Sequence, residues 1–518
     1  LLCKAEDEVG VGTSVKEHFI YAARKVIADS SGFGGYVLNR TGSVRELGGT
    51  LHIDHEFASR GTVGMYGSYS ELAQSLTTTA RGNPPQMQPG DSSLGEFGVS
   101  ANADLLISRK RPVKIAGGAG GRKENLRVPT SPYDTSYTTL GRKIGDIYLE
   151  ALVPVFDAPH AVLDRLDVSL AGREDYYQVA GPTFNPKAGL LWSPYRNLNL
   201  RTNYARSFRP PPLDKLPRIP VFYTVNIPDQ AGGTTDILVN QSQGIYRLKP
   251  EIARTITAGL DWRRDLAGGV SASLTWYHTV MDNRIAAPSA ISPGVMAAIF
   301  SQPELIPYIQ NSPDLAQTQA IFAGPGFIQD FAKGGPGAVR AEFDNEVTNI
   351  ARTLEEGLET SGYYTIGERP RQFGASVIAN YLLRDTYRAV PGGPTQPLVN
   401  NVGQPVNLRA RGGMSQSWDG WCAAVNVNYT NRYRNVLVAP AQNVASFTTV
   451  DFQVAYQIPF SSSPGRDIQF TFNMQNVRNA APPRVTVPPG LGFRPVGFDP
   501  ANASPYGRVI SLDVSVGW

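Results

Sequence analysis

Residues Val509–Trp518 read VISLDVSVGW. Ile510, Leu512, Val514, Val516 and Trp518 fall on one side of an extended chain, and Ser511, Asp513, Ser515 and Gly517 on the other. Successive side chains of a strand point to opposite faces, so this stretch is a strand with one apolar and one polar face. The pattern recurs upstream. Phe452, Val454, Tyr456 and Ile458 oppose Asp451, Gln453, Ala455 and Gln457, and Ile468, Phe470, Phe472 and Met474 oppose Gln469, Thr471, Asn473 and Gln475. Trp421, Ala423, Val425, Val427 and Tyr429 behave alike, as do Leu198–Tyr204, Ile256–Trp262 and Val270–Trp276.

A soluble sandwich also alternates. Two features favour a membrane barrel. The polar face is Asn, Gln, Ser, Thr, Gly and Asp, which suits a wet lumen, and the connections alternate in length. Short turns are predicted near 58–60, 109–111, 156–161, 193–197, 263–268, 367–370, 418–420 and 459–465. Between them lie longer gaps near 73–93, 209–249, 282–351, 385–404 and 480–505. Short periplasmic turns and long outer loops are what outer-membrane barrels show. The expected fold is all-β, an antiparallel transmembrane β-barrel over residues 1–518, with about 17 strands of a 22-stranded barrel. The exception is 15–29, VKEHFIYAARKVIAD, where Phe19, Ala22 and Val26 have helical spacing and predict a short loop helix.

Composition narrows the function. Among 518 residues, 52 are Gly, 40 are Pro and 18% are charged, with net charge +4. That balance is too mild for nucleic acid, and no aromatic–basic repeat supports such a partner. Cys3 and Cys422 make neither a metal pattern nor a disulfide framework. No apolar run reaches the roughly 18 residues of a membrane helix. The opening LLCKAEDEVG has no charged-then-apolar leader, so a sequence beginning inside a longer protein is expected.

Candidate chemistry is sparse. His52, Asp54 and His55 stand together, yet a strand puts His52 and Asp54 on one face and His55 on the other, so no shared metal site is expected. GGAGGRKEN (117–125) reads as a small-residue wall strand rather than a phosphate loop. The carboxylates of EEGLE (355–359) read as wall residues facing water, and RKRPVK (109–114) as a solvated turn with headgroup contact as the alternative. No catalytic residue, metal ligand or cofactor is assigned, and an enzyme is not expected.

Five stretches resemble the TonB-dependent outer-membrane receptors, in the order that family has them. NLNLRTNYARSFRPPPLDKL (197–216) resembles a strand ending in an aromatic-Arg-Pro turn. LKPEIARTITAGLDWRRDLAGGVSASLTWYHTVMDNRI (248–285) resembles the hairpin after the long middle loop. TLEEGLETSGYYTI (353–366) carries the Gly-x-Glu element. FTTVDFQVAYQIPF (447–460) with IQFTFNMQNVRNAAPPRV (468–485) is similar to the penultimate hairpin, and GFDPANASPYGRVISLDVSVGW (497–518) to the terminal strand with its closing aromatic. Residues 1–140 fit only as generic barrel strands.

The resemblance implies active uptake of a scarce bulky solute across the outer membrane of a Gram-negative bacterium. A ferric siderophore is implied most often, with cobalamin, sugars or peptides as alternatives. Ligand contact is expected in the outer loops near 209–249 and 282–351. The final strand, through Leu512, Val514, Val516 and Trp518, is expected to be the signal that the barrel-assembly machinery recognises. Outer-membrane lipid and the TonB energy-coupling complex are the other implied partners, the latter through an N-terminal part that the sequence lacks together with the plug domain. That departure keeps two competing readings open: a passive porin-like channel, and a non-functional barrel fragment.

The face assignment makes a prediction. An outward cation at mid-membrane costs about 2–4 kcal/mol. Leu260→Arg should therefore lower the yield of assembled barrel in outer-membrane fractions, while Asp261→Arg on the lumen face should be tolerated. Equal damage from both rejects the faces.

Overall fold

The computed structural model describes residues 2–8, 13–31, 37–57, 61–80, 86–105, 111–129, 137–160, 163–216, 219–228, 233–242, 244, 248–264, 268–291, 299–300, 302–368, 370–459, 467–486 and 497–517. One sheet of 21 strands dominates. Two of these are short segments beside the outer loops, Gln86–Pro89 and Gln396–Pro397, which leaves 19 that run the wall. Each wall strand pairs antiparallel with the next in sequence, from Leu2–Glu8 on Thr13–Ser31 to Asp467–Gln475 on Val509–Gly517. The count meets the 17 read from period two, given to within one or two. No helix among the described residues is long and apolar enough to cross a membrane.

Period two becomes two surfaces. Outward residues carry large exposed apolar side chains: Phe97 is 69% exposed, Leu149 65%, Met414 64% and Leu512 68%. Soluble monomers rarely expose apolar patches beyond a few hundred Å². A continuous band of such residues needs lipid. Inward residues pair with one another instead. Arg201 Nε donates to Asp261 Oδ2 at 3.0 Å, and Ser273 Oγ to Asp261 Oδ1 at 2.7 Å. Near the short turns, Trp418 stacks on Trp421 and Trp421 lies 4.4 Å from Tyr456 ring to ring, as in an interfacial aromatic girdle. The Arg201 pairing corrects one sequence expectation. Asp261→Arg would set two guanidinium groups side by side, so Thr257→Lys is the cleaner lumen partner for Leu260→Arg.

The short turns lie where period two breaks. Strands meet across Tyr195/Leu198, Arg264/Val270, Glu368/Arg371 and Trp418/Trp421. The helix expected at 15–29 is absent. These residues lie in the strand Thr13–Ser31, with Phe19 opposite Cys3 on one side and Gly49 on the other. Helical spacing and alternation overlap here. The ladder to Val37–Phe57 runs the whole length and that to Leu2–Glu8 covers Ser14–Ile20, and the β-branched and aromatic residues Val15, Phe19, Ile20 and Tyr21 fit a pleated sheet. The gap expected at 73–93 is shorter, because one wall strand runs to Ala80 and the next begins at Ser92.

Glycine-rich wall segments are seats for aromatic rings. Tyr66 lies directly opposite Gly98, and Tyr148 opposite Gly118 in the GGAGGRKEN stretch. A Cβ on Gly98 would sit 2.5 Å from Cε1 of Tyr66, and one on Gly118 would sit 2.6 Å from both Tyr148 Cε1 and Val99 O. Each ring thus covers the backbone that its glycine partner leaves bare. By contrast, a Cβ on Gly412 meets nothing within 4 Å. Gly118→Val should lower barrel stability by about 1–3 kcal/mol through overpacking. The midpoint of urea unfolding in detergent should fall, while Gly412→Val should leave it in place.

Candidate functional site

The outer loops are folded. Arg209 and Glu251 face each other across the ladder where the loop 210–250 leaves and returns. Arg209 Nε donates to Glu251 Oε2, and the Ile285 amide donates to Glu251 Oε1 at 2.7 Å. Glu251 is 1% exposed, so the aromatic-Arg-Pro turn of the sequence is tied down by a buried carboxylate.

Above this clamp the two longest loops share one sheet. Its five strands are ordered Ile309–Asn311, Val339–Asp344, Thr234–Asn240, Phe222–Pro228 and Phe327–Asp330. Phe222–Pro228 and Thr234–Asn240 form an antiparallel hairpin. The second loop joins it on both sides by parallel pairing, Phe222 with Phe327 and Val239 with Phe343. Period two operates here too. Tyr223, Val225, Ile227, Ile237, Val239, Ala341 and Phe343 all turn to one face and pack on Ile299, Leu305, Ala389 and Val390. Ala389 and Val390 follow the wall strand Arg371–Arg388, so this cap is fastened to the barrel rim.

The opposite face of the cap is organised by Asp330. Its carboxylate accepts from Thr224 Oγ1, and from the amides of Lys333 and Gly335 at 2.9 Å each. Burial works against the charge, but the Thr224 hydroxyl and the two amides hold the Asp330 carboxyl below its ordinary range. In the same sheet, burial and then the charge of Asp344 push the Glu342 carboxyl up.

A second cap unites the loops that follow. Val406, Tyr433, Val444 and Val485 form its core. Asp499 accepts from Gly403 N at 3.0 Å, Ala501 N at 3.0 Å and Asn502 Nδ2 at 2.8 Å. Asn435 Nδ2 donates to Thr486 O at 2.6 Å. These two loops, 431–446 and 476–508, carry Arg432, Arg434, Arg478, Arg484, Arg494 and Arg508 against Asp499 as their one acid. Val436 and Tyr506 are exposed, Tyr506 at 74%. Sequence reasoning placed ligand contact in 209–249 and 282–351 and passed over this arginine-rich pair. The signal was present as a charge count per loop.

The remaining expectations sort as follows. His52 Nδ1 lies 3.1 Å from Asp54 Oδ2, while His55 Nδ1 lies 2.8 Å from Thr13 Oγ1 on the other face. No group of three or more metal-ligating side chains occurs among the described residues. Arg111 does not lie in a solvated turn: it grips the buried Asp167 with both terminal nitrogens, at 2.7 and 2.8 Å. Of the EEGLE carboxylates, Glu355 faces the lumen side and accepts from Tyr277 Oη at 3.2 Å. Glu356 faces outward instead, because period two alternates it, and accepts from Trp276 Nε1 at 3.0 Å. Leu512, Val514 and Val516 are outward and exposed, opposite Phe472, Phe470 and Ile468. Trp518 lies outside the described residues.

The Asp330 geometry makes a prediction with a sign. A carboxyl held below its unfolded value contributes stability above that value and loses it as pH falls through the folded one. Hydrogen exchange of Phe222–Pro228 and Phe327–Asp330, corrected for intrinsic rates, should lose protection below about pH 4. Asp330→Ala should remove about 1–3 kcal/mol of that protection at neutral pH and flatten its acid dependence.

Comparison with known proteins gives the arrangement its family. Residues 14–477 match the family described as TonB dependent receptor-like, beta-barrel. The siderophore receptor PirA from Acinetobacter baumannii is similar in structure, with a TM-score of 0.65 at 14% identity over 99% of this chain and 69% of that one. The outer membrane transporter YddB from Escherichia coli gives 0.63 at 11% identity over 99% and 74%. A mutant of the ferric enterobactin receptor PfeA from Pseudomonas aeruginosa gives 0.60 at 12% identity over 99% and 76%. A search of curated proteins returned no match. At such identities the structures speak for the fold, and the family match spans most of the sequence. The chain belongs to the TonB-dependent receptors, transporters rather than enzymes, and its antiparallel barrel lies in the outer membrane of a Gram-negative bacterium.

Proposed function

We propose that this receptor takes up an anionic ferric siderophore, bound first at the arginine-rich cap formed by loops 431–446 and 476–508. The observation that carries this reading is the charge of that cap: among the described residues, Arg432, Arg434, Arg478, Arg484 and Arg508 stand against Asp499, whose carboxylate is already occupied by Gly403, Ala501 and Asn502. Ferric complexes of catecholate ligands are polyanions, and guanidinium groups with neighbouring aromatic surface suit them. The exposed Tyr506 supplies such surface. The similar solved structures include a siderophore receptor and a ferric enterobactin receptor, which supports the class without naming the ligand. The first cap, over 209–249 and 282–351, would act as the rigid neighbour against which the ligand is held.

The reading carries three further parts. A plug-type domain would belong with the barrel in the working protein, and the matched structures are longer than this chain. Coupling to TonB would run through that domain. The strand Val509–Gly517, with its outward Leu512, Val514 and Val516 and the closing Trp518, would be what the barrel-assembly machinery recognises.

Radio-iron uptake by cells expressing the full-length receptor as their sole siderophore receptor tests the proposal. Arg432→Gln with Arg434→Gln should raise the half-saturating concentration of an anionic ferric catecholate by about tenfold, the size of one lost charge-assisted contact. Uptake of a neutral ferric complex should change little. If cells lacking the receptor import every ferric siderophore as well as the parent, the reading fails.

A further inference from the structure

On the outward face, just beyond the outer edge of the apolar band, two pairs of arginines stand directly opposite each other across the ladder. Arg206 pairs with Arg254, and Arg352 with Arg388. Like charges directly opposite destabilise a sheet unless something lies between them. One carboxylate serves the group: Asp282 accepts from Arg254 Nη1 at 2.9 Å and lies 3.3 Å from Arg352 Nε. Arg206 Nη1 donates to the Phe184 carbonyl at 2.7 Å, and Arg388 has no carboxylate partner among the described residues. Arg384, opposite Glu356, extends the row, and Glu356 is already held by Trp276.

The height of the row follows from the strands. Tilted barrel strands rise about 2.5 Å per residue along the axis, so an apolar band of about 25 Å takes about ten residues. From the short turn at Arg264, the outward residues run Trp262, Leu260, Ala258, Ile256 and then Arg254. From Val270, they run Ala272, Leu274, Trp276, His278, Val280 and then Asp282. The arginines therefore sit at headgroup depth in the outer leaflet, and Arg254 and Arg352 are 55% and 46% exposed there.

We propose that the paired arginines Arg206/Arg254 and Arg352/Arg388 hold the phosphate groups of an anionic lipid of the outer leaflet. A phosphate oxygen between two guanidinium groups replaces their repulsion with charge-assisted hydrogen bonds. A free phosphate ion offers the same chemistry, but the edge of the apolar band puts acyl chains beside the arginines, which favours the lipid. The site lies on the barrel exterior, so it is separate from the arginine-rich cap and stands whether or not that cap binds a siderophore.

The test reconstitutes the full-length receptor in phosphatidylcholine nanodiscs with or without lipid A, re-purifies it in detergent and assays the retained lipid A by its hydroxy fatty acids. Arg206→Gln with Arg388→Gln should cut lipid A retention about tenfold. Asp282→Asn removes the competing carboxylate and should raise retention, an opposite change that a loss of folding cannot mimic. Arg409→Gln, on the inward face, should leave it unchanged. Equal retention in all variants overturns the proposal, as does equal retention of lipid A stripped of its phosphates. Displacement of lipid A by inorganic phosphate alone at the same phosphorus concentration overturns the lipid assignment in favour of a free-phosphate site.

Discussion

The constraint on which the rest of the structure depends is the backbone amide in lipid. Inside a hydrocarbon layer every unpaired N–H or C=O costs several kcal/mol, and no water is present to relieve it. A strand can meet that demand only sideways. The wall is accordingly antiparallel from end to end, with each strand laddered to its sequence neighbour. Once the ladder is fixed, composition has little freedom. One face must be apolar, the other can be polar, and the approach of neighbouring side chains is limited by the strand spacing. The aromatic seats on Gly98 and Gly118 are solutions to that last limit, in which a ring lies flat over a partner that lacks Cβ.

The same rule explains where the loops become free to fold otherwise. Beyond the membrane, water satisfies backbone groups, and the chain returns to soluble-protein physics. The first cap is built that way. Its strands bury one face on Ile299, Leu305 and Val390, and its parallel pairings join segments about a hundred residues apart. Such pairings do not occur among the described wall strands, where hairpins suffice, and are natural in a cap whose two loops leave the barrel at different points. The pair of exposed Arg209 and buried Glu251 sits at the boundary between the regimes. A charge there is tolerable because Glu251 also receives the Ile285 amide.

How much of this was legible in the sequence follows from what period two can encode. The wall was legible, because alternation over ten or so residues states both the strand and its faces: Leu260 and Asp261, or Leu512 and Asp513, were assigned correctly from parity alone. The segment 15–29 was misread because Phe19, Ala22 and Val26 satisfy a helical spacing while their neighbours satisfy alternation, and only the ladders to Leu2–Glu8 and Val37–Phe57 decide between them. The caps were illegible for a different reason. Their strands are three to seven residues long, too short for periodicity to register, and several of their partners lie in another loop. Cross-strand identity was likewise hidden. Glu356 was read with Glu355 and Glu359 as one acidic cluster, yet alternation sends it to the opposite face, and Arg111 was read as solvated although Asp167 lies across two strands from it.

The distribution of charge then gives a physical reading of how the molecule divides its work. On the lumen side, several cations and anions are matched within the wall, as Arg201 with Asp261 and Arg173 with Asp146 and Asp175. Arginine stands in excess at two of the places described above. One is the cap over 431–446 and 476–508, open to the outside medium. The other is the outward row at headgroup depth. A barrel selected merely for stability would neutralise both, since like charges across a ladder and unpaired cations in a compact cap each carry a cost. The excess is intelligible where an external anion completes it: a mobile one arriving from solution at the cap, and a resident one anchored by its acyl chains at the rim. The two sites differ in the same way that their surroundings do, one facing water and one facing lipid, and that difference lets a single residue type serve both without confusion between their ligands.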